Sequence, residues 1–345
     1  MRTVFWENDK LNLIDQRQLP KTLAVVAYDD CADVVQAIRE MVVRGAPAIG
    51  AAAAFGLALA ARGSRSTSAS GVLADLEAAA AQLKSARPTA VNLAWAVDRV
   101  MGRFRREAGR VGEIRQAVLQ EAQRLADEDV EINKRMAQHG AQLIDTGDTV
   151  IHHCNTGALA AVDWGTALGV IRMAHEQGKF VHVLVDETRP RLQGSRLTAW
   201  ELQQYGISYE IIADSMAGHF LRTGQAQKVL YGADRVAANG DVANKVGTYM
   251  LSLAAHDNHV PTYAVVPTST IDLSLKDGSL IPIEERDPGE VLEIQFQGEA
   301  VVPRGARARN PAFDITPHRL ITAIVTENGI AYPPFESSLR QHVVS

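Results

Sequence analysis

The sequence predicts an α/β protein with two parts: a mainly helical N-terminal domain that begins with a small antiparallel sheet, and a C-terminal Rossmann-like parallel sheet flanked by helices. Three observations support this fold class. Short alternating apolar stretches occupy the first 28 residues, and helical periodicity then continues to about residue 143. Beyond that point, apolar runs of strand length alternate with helical segments. We therefore place the domains at residues 1–143 and 144–345.

The composition is that of a globular chain, and it excludes several classes of function. Of the 345 residues, 46% are hydrophobic and 22% are charged, so the chain can bury full cores. A net charge of −5 provides no general basic field, so we expect no nucleic-acid partner. The two cysteines do not form a disulfide framework, and the N-terminus lacks an apolar signal segment. We therefore expect a cytoplasmic protein.

The N-terminal half contains one uncharged run that approaches the length of a membrane span, from Gly45 to Ala61. It consists mostly of Ala and Gly, which favours a buried helix of a folded domain, and we expect no membrane partner. Pro47 suits the first turn of this helix. Upstream, Asp29 or Asp30 can cap a helix near residues 31–43.

The C-terminal half predicts five strands, at residues 148–153, 180–185, 207–212, 228–232 and 261–266. The helical patterns between them lie near residues 163–177, 196–205, 215–222 and 244–257. Strands that alternate with helices form parallel sheets with right-handed crossovers. In such sheets, ligands bind outside the carboxyl ends of the strands, near the point where the strand order reverses.

Polar residues follow each predicted strand, in the order Cys154, Asp186, Asp214, Asp234 and Thr268. Because the carboxyl ends of parallel strands meet at one edge, we expect these side chains to converge on one crevice. The alternative is that such residues only cap the following helices. Capping explains the Asp and Thr residues but not Cys154, because cysteine is a poor cap.

Cys154 and Asp234 are the strongest candidates for chemistry. A single cysteine is usually a small buried hydrophobe, but a position between a strand and a glycine-containing turn can lower the thiol pKa. Asp234 could serve as a cap or as a partner of Arg235. If Asp234 is buried, desolvation raises its pKa and lets it donate a proton near neutral pH. We interpret the preceding His152 and His153 as packing or supporting residues rather than metal ligands.

Two predicted helix starts are candidate anion sites. Asn244 and Lys245 are predicted to open the helix that follows the fourth strand, where free N–H groups suit an anion. The alternative for both residues is an ordinary capped and solvated helix start. Arg44, Gly45 and Ala46 precede the Ala-rich helix and form a second candidate. Taken by itself, Arg87 in its Arg-Pro-Thr turn would be interpreted as a charged surface residue. The sequence contains no glycine-rich nucleotide-binding motif.

Several long motifs resemble the methylthioribose-1-phosphate isomerase family. They are VRGAPAIGAAAAFGLAL (43–59), HHCNTGALA (152–160), DETRPRLQGSRLTAWEL (186–202) and GADRVAANGDVANKVGTYMLSLAAH (232–256). The motifs PTSTID (267–272), IPIEERDPGEV (281–291) and NPAFDITP (310–317) fit as well. The resemblance covers nearly the whole chain. The wider family also contains ribose-1,5-bisphosphate isomerase and the regulatory subunits of a translation-initiation guanine-nucleotide exchange factor.

The resemblance implies a catalytic pair, Cys154 and Asp234, and a homodimer that needs neither metal nor organic cofactor. The substrate contacts that it implies are Arg44, Gly45, Ala46, Arg87, Gln193, Asn244 and Lys245. Arg191 departs from the pattern, where an apolar residue is common, and we expect its side chain to be exposed to solvent.

The implied reaction is an aldose–ketose isomerisation, from 5-methylthioribose 1-phosphate to 5-methylthioribulose 1-phosphate, in methionine salvage. Two alternatives remain open. A ribose-1,5-bisphosphate isomerase would need additional cations in place of an apolar pocket. A non-catalytic regulatory subunit that binds phosphorylated ligands would have no need of both Cys154 and Asp234.

Overall fold

A computed structural model describes residues 1–87, 90–104 and 110–344. The chain divides into an N-terminal unit, formed by residues 1–134 and 156–165, and a C-terminal unit, formed by residues 135–155 and the chain from Thr166 onward. The boundary between the units falls within the helix Val111–Ala141. The division into domains after residue 143 stays a prediction.

The N-terminal unit confirms the predicted combination of a small antiparallel sheet with helices. Its three strands pair in chain order and are β1 (Val4–Glu7), β2 (Lys10–Ile14) and β3 (Val25–Tyr28). Its helices are α1 (Cys31–Arg39), α2 (Ala46–Gly63), α3 (Ala69–Ala86), α4 (Val91–Phe104) and most of α5 (Val111–Ala141). Helix α1 begins as predicted, because the Asp30 side chain accepts a hydrogen bond of 2.6 Å from the N–H of Ala32.

Helix α2 is the centre of the N-terminal core. By length and composition it could cross a membrane, but 72% of the helix is buried inside the fold, as expected of a core helix. Its small residues let neighbouring helices approach closely. A Cβ at Gly56 would lie 3.1 Å from Leu83 of α3, and one at Gly50 would lie 3.1 Å from the Asn92 carbonyl oxygen of α4. The Ala-rich composition therefore serves close packing.

The C-terminal unit contains thirteen strands among the described residues. The first seven are β4 (Thr149–His152), β5 (His182–Asp186), β6 (Ser208–Ile212), β7 (Lys228–Tyr231), β8 (Arg235–Ala237), β9 (Val242–Lys245) and β10 (Thr262–Val265). The others are β11 (Ile271–Asp272), β12 (Gln295–Phe296), β13 (Glu299–Ala300), β14 (Phe313–Thr316), β15 (Ala323–Thr326) and β16 (Gly329–Ala331). The remaining helices are α6 (Ala167–Glu176), α7 (Ala199–Tyr205), α8 (Ala217–Arg222), α9 (Thr248–Asp257), α10 (Gly289–Leu292) and α11 (Phe335–Val344).

The main sheet has seven strands in the order β16-β15-β10-β7-β4-β5-β6, and its pairs are parallel except for β15–β16. From β4 the chain proceeds through β5 and β6 to one side and then returns to β7 on the other side. The strand order therefore reverses between β4 and β7, which is where doubly wound sheets bind their ligands. The predicted parallel sheet is confirmed.

One predicted helix start is wrong. Asn244 and Lys245 do not open a helix but end β9, which pairs antiparallel with β14 in a second sheet of order β11-β8-β9-β14. Helix α9 begins only at Thr248, after Gly247 with a positive φ of 106°. Local periodicity could not reveal this, because the partner strand lies some 70 residues further along the chain.

Candidate active site

Cys154 and Asp234 follow the two strands between which the order reverses. Strands β4 and β7 are parallel neighbours, with His152 of β4 opposite Leu230 of β7. Cys154 lies two residues beyond His152, and Asp234 lies four residues beyond Leu230. Cys154 is 9% exposed and Asp234 is partly buried. The topology thus brings both candidates to the same edge of the sheet, at its ligand-binding position.

Two buried hydroxyl groups hold the backbone of Cys154. The Cys154 N–H donates to Thr188 Oγ1 at 2.9 Å, and the Cys154 carbonyl oxygen accepts from Thr198 Oγ1 at 2.7 Å. Both threonines are fully buried. Cys154 has a φ of 67°, in the left-handed region that non-glycine residues rarely adopt. Such strain persists only where the surroundings impose it, and here the two threonines do so.

Replacing Thr188 with Val should lower the free energy of unfolding by about 1–3 kcal/mol, because the buried N–H of Cys154 loses its acceptor. The shape of the side chain is retained, so the effect isolates the hydroxyl group. We expect the rate of alkylation of Cys154 to change as its backbone relaxes. Urea unfolding and iodoacetamide labelling measure the two quantities. Thr188→Ser, which keeps the hydroxyl, is the control, and equal stability of the two variants would contradict the proposed contact.

Asp234 begins the turn that leads from β7 into β8. Its N–H donates to the carbonyl oxygen of Ala243 at 2.9 Å, which fixes this turn against β9. The neighbouring Arg235 forms an ion pair with Asp272, with 2.6 Å between Nη1 and Oδ2. Asp272 therefore provides a carboxylate partner for the Arg235 guanidinium.

Lys245 is a buried cation that interacts electrostatically with both candidate catalytic residues. Its side chain is 8% exposed, and its ammonium donates to the carbonyl oxygen of Ala312 at 2.7 Å. Burial lowers the pKa of Lys245, while the negative charges of Cys154 and Asp234 act to raise it. An ammonium within electrostatic reach of both groups suits a site for an anionic ligand. Next to it, Asn244 is 4% exposed and donates to Thr248 Oγ1 at 2.9 Å.

Gln193 carries a polar atom that is ready for a ligand. It immediately precedes a π-helical turn, Gly194–Thr198, and its side chain is 7% exposed. Its Oε1 is buried and has no hydrogen-bond partner among the described residues. Buried acceptors of this kind are rare in folded proteins, and π-helical turns are frequent at functional sites. This supports the predicted substrate contact at Gln193.

The expectation that Arg191 is exposed to solvent is wrong. Its side chain is 32% exposed and pairs with Glu290, with 3.0 Å between Nη1 and Oε1. Glu290 also binds Arg286 and accepts from Asn310 Nδ2 at 3.0 Å. The positive charge of Arg191 is therefore partly neutralised by Glu290, and the Arg191 side chain is half-buried.

The other predicted contacts belong to the N-terminal unit. Gly45 caps α2 with a φ of 95°, and Ala46 is the first residue of that helix. Arg44 precedes them, and Arg87 is the C-cap residue that follows α3; both residues are partly buried. The remainder of the predicted Arg-Pro-Thr turn, Pro88 and Thr89, lies outside the described residues. By contrast, Cys154, Gln193, Asp234, Asn244 and Lys245 belong to the C-terminal unit.

Gly45→Ala should destabilise the N-terminal unit by about 3 kcal/mol or more, through backbone strain and overpacking. A Cβ at Gly45 would lie 2.3 Å from the Ala160 carbonyl oxygen, and the positive φ disfavours any side chain. Gly63→Ala at the end of the same helix is the matched control, because nothing lies within 4 Å of its Cβ position. Thermal unfolding measures both variants. Equal melting temperatures would contradict the close approach at Gly45.

A buried cluster behind Cys154 was not predicted in this form. His153 Nδ1 lies 2.8 Å from Asp186 Oδ2, and His153 Nε2 lies 3.1 Å from the Val246 carbonyl oxygen. Burial by itself would lower the pKa of His153. The hydrogen bond to Asp186 and the negative charge of that carboxylate outweigh the effect of burial and raise the pKa of His153. Burial raises the pKa of Asp186 to about 6. By contrast, burial lowers the pKa of His152 to about 4 and keeps this residue neutral.

This cluster is also the place in the described chain where a cation could be held, since the ligand atoms of His153, Asp186 and Asp214 all lie within 4.8 Å of one another. Most of their polar atoms already form hydrogen bonds, although Asp186 Oδ1 has no partner among the described residues. The Asp214 carboxylate accepts from the N–H groups of Thr188 and Arg189 at 2.7 and 2.8 Å, and His153 is bonded at both ring nitrogens. We therefore interpret the cluster as a hydrogen-bonded support. The prediction that no metal is needed stays a prediction.

Comparisons with known proteins agree on one family. The model of the initiation factor 2 subunit family matches residues 42–333. Methylthioribose-1-phosphate isomerase of Synechococcus sp. is 52% identical over 344 residues, which cover 100% of this chain and 98% of that protein. The crystal structure of 5-methylthioribose 1-phosphate isomerase from Pyrococcus horikoshii superposes with a TM-score of 0.93 at 44% identity, covering 99% of this chain and 95% of that one.

A second solved structure bears a different name. A crystal structure described as translation initiation factor eIF-2B, subunit delta, from A. fulgidus has a TM-score of 0.90 and 42% identity, with 100% of both chains covered. Similarity of the whole chain therefore identifies the fold and the family, whereas function has to be argued from the site.

Proposed function

Since the chain belongs to the initiation factor 2 subunit family, alongside the methylthioribose-1-phosphate isomerases that it resembles throughout its length, we propose that it is an aldose–ketose isomerase. Its reaction converts 5-methylthioribose 1-phosphate to 5-methylthioribulose 1-phosphate, a step of methionine salvage. The observation that carries this proposal is the position of Cys154 and Asp234 just beyond the ends of adjacent parallel strands, where the sheet order reverses. The buried Lys245 lies on β9, the strand whose Ala243 carbonyl oxygen accepts a hydrogen bond from the Asp234 N–H.

The difficulty of the reaction lies in the ring. Phosphate on the anomeric oxygen locks the sugar as an acetal, so no free aldehyde acidifies the C–H bond at C2. The ring must open first, by cleavage of the bond between C1 and the ring oxygen. An acid at the ring oxygen makes that cleavage possible. Asp234 has this role in our proposal, because it follows β7 at the edge of the sheet where ligands bind and carries a carboxyl group that can donate a proton.

Hydrogen then moves from C2 to the electron-poor C1. In one route a base removes the C2 proton, and the resulting enol is protonated at C1. In the other route hydride passes directly from C2 to C1, while the 2-hydroxyl group loses its proton. Cys154 acts beside C2 as the base in the first route and stabilises the transition state in the second. Its backbone, held by Thr188 and Thr198, keeps the sulfur in place for either role.

The remaining residues bind the substrate in this proposal. Lys245 supplies a desolvated positive charge for the phosphate, and Asn244 presents an amide beside it. Gln193 orients a sugar hydroxyl through its unpaired Oε1. The contacts that the family resemblance implies in the N-terminal unit are Arg44, Gly45, Ala46 and Arg87. Neither route needs a metal or an organic cofactor.

We also propose a cytoplasmic homodimer that associates through the C-terminal unit. Large apolar side chains on and next to the packed helices α8 and α9 remain exposed, namely Met216 at 51%, Met250 at 66% and Leu253 at 36%. Exposed apolar surface is typical of association sites, and the helices that carry or adjoin these residues pack against each other. Light scattering during size-exclusion chromatography tests this proposal, since a monomeric mass would contradict it. Neither of the two cysteines forms a disulfide bond, which suits a reducing compartment.

The proposed activity is tested by offering the purified chain two sugars, 5-methylthioribose 1-phosphate and ribose 1,5-bisphosphate, and following ketose formation by proton NMR. We expect turnover of the methylthio sugar, with a kcat/KM at least about tenfold higher than the kcat/KM for ribose 1,5-bisphosphate. Preference for the bisphosphate would identify a bisphosphate isomerase instead. Turnover of neither sugar would favour a regulatory subunit. This alternative is included because one relative that is 42% identical carries the name of an initiation-factor subunit.

A further inference from the structure

His153 lies between two of the segments that carry the proposed chemistry. It directly precedes Cys154, and it is 1% exposed. One ring nitrogen is 2.8 Å from the Asp186 carboxylate at the end of β5. The other is 3.1 Å from the carbonyl oxygen of Val246, the residue after Lys245. A single buried side chain thus connects the segment of Cys154 with the segment of Asn244 and Lys245.

The partners of the ring determine where its protons lie. A backbone carbonyl can only accept, so Nε2 carries a hydrogen and donates to Val246. The contact between Nδ1 and Asp186 then holds one proton, either on the nitrogen or on the carboxyl oxygen. In both cases the pair is electrically neutral as a whole and both hydrogen bonds are made. The bond to Val246 therefore persists whichever partner holds the shared proton.

Packing around Gly247 indicates that the ring also shapes the backbone after Lys245. A Cβ at Gly247 would lie 2.9 Å from His153 Cε1, so the imidazole fills the space above this residue. Gly247 has a φ of 106°, and its N–H donates to Asp314 Oδ2 at 2.7 Å. The turn from β9 to α9 is therefore held from one side by the ring and from the other by Asp314.

Asp186 reaches Cys154 by a second path. Its carbonyl oxygen accepts from Thr188 Oγ1 at 3.0 Å, and the same hydroxyl oxygen accepts from the N–H of Cys154. Asp186 Oδ1 is buried and has no hydrogen-bond partner among the described residues, so its partner His153 is the main compensation for the buried carboxylate. A buried pair of this kind costs desolvation energy, and a packing role alone could be filled by an apolar residue.

We propose that His153 is a positioning residue, which uses its two hydrogen bonds to Asp186 and Val246 to hold the Asn244–Lys245 segment in place relative to Cys154. The assignment rests on the proposed function in so far as Lys245 binds the phosphate of the substrate. It goes beyond that function by naming a residue that touches neither substrate nor reacting atoms in our account. Its effect should appear in substrate affinity, because the residue acts through Lys245.

Two amide variants separate the two hydrogen bonds. In His153→Gln the amide nitrogen takes the place of Nε2 and can donate to Val246, whereas in His153→Asn it takes the place of Nδ1 and can donate only to Asp186. We expect His153→Asn to raise KM about tenfold, the change that corresponds to one lost hydrogen bond. His153→Gln should keep KM within about threefold of the unmodified chain. A packing role alone would shift stability in both variants without separating their KM values.

Hydrogen–deuterium exchange provides a readout that does not depend on turnover. The amides of residues 246–249 should exchange at least about tenfold faster in His153→Asn, and at nearly the original rate in His153→Gln. Equal exchange in the two variants, or an unchanged KM in His153→Asn, would overturn the positioning role. If the unmodified chain converts no sugar phosphate, the proposed function fails, and the exchange rates still decide whether His153 holds this segment.

Discussion

Replacing Asp234 with Asn is expected to lower kcat by about 10²- to 10⁴-fold while the chain still folds and binds substrate, since general acid catalysis contributes this much. The amide has the shape of the carboxyl group but no proton to give to the ring oxygen. The ring therefore stays closed, and every later step is prevented. Steady-state kinetics measure the loss, and isothermal titration with substrate measures the binding that should persist.

The matched control is Asp257→Asn, which makes the same chemical change at an exposed carboxylate at the end of α9. It should leave kcat within about twofold of the unmodified chain, as is usual for surface substitutions. An Asp234→Asn chain with undiminished kcat would remove Asp234 from the mechanism. Loss of both activity and binding would instead assign it to substrate recognition.

Replacing Cys154 with Ala is expected to lower kcat by a comparable factor of about 10²- to 10⁴-fold. The alanine retains the small apolar body of the residue, so the packing around β4 changes little and the loss reports on the sulfur. Alkylation of the unmodified chain should inactivate it, and substrate should protect against the loss. Turnover before and after treatment with iodoacetamide, combined with peptide mapping, measures both effects.

Cys31 provides the control within the same chain. It is the first residue of α1, and burial raises the pKa of its thiol to about 12, so almost no reactive thiolate forms near neutral pH. Cys31→Ala should retain turnover and remain sensitive to alkylation. If the Cys154→Ala variant converts substrate at the normal rate, the thiol has no chemical role.

A reaction in deuterated water separates the two routes of hydrogen transfer. Solvent deuterium at C1 of the product would support the proton route, and its absence would count against an exposed enol intermediate.

The parts of the fold that the sequence predicted are those with a local signal. The apolar run before Cys154 and the one before Asp234 are visible as β4 and β7, because central parallel strands are buried on both faces. Asp30 was recognisable as a helix cap from its place before an amphipathic pattern. The alternation of elements predicted a parallel sheet, whereas the reversal of strand order between β4 and β7, which brings the two candidates to the ends of neighbouring strands, is seen only in the structure.

The parts that the sequence did not predict depend on remote partners. Lys245 ends a strand because residues 313–316 pair with it, and nothing near Lys245 reveals this. The sequence does not reveal the ion pair of Arg191, because its partner Glu290 lies 99 positions further along the chain. The hydroxyls of Thr188 and Thr198 bond to the backbone of Cys154, although the sequence singles out only Asp186, Arg191 and Gln193 in that segment. Side-chain hydrogen bonds of this kind leave no periodicity in a sequence.

The roles of the site residues meet their most direct test in a crystal structure of the Asp234→Asn chain with bound 5-methylthioribose 1-phosphate. Our account predicts the sugar ring within hydrogen-bond distance of residue 234, C2 beside the sulfur of Cys154, and the phosphate close to Lys245. The contradicting result is a sugar phosphate bound elsewhere, for example in the exposed cavity of about 410 Å³ lined by His256, His259 and Arg319, with the edge at Cys154 empty.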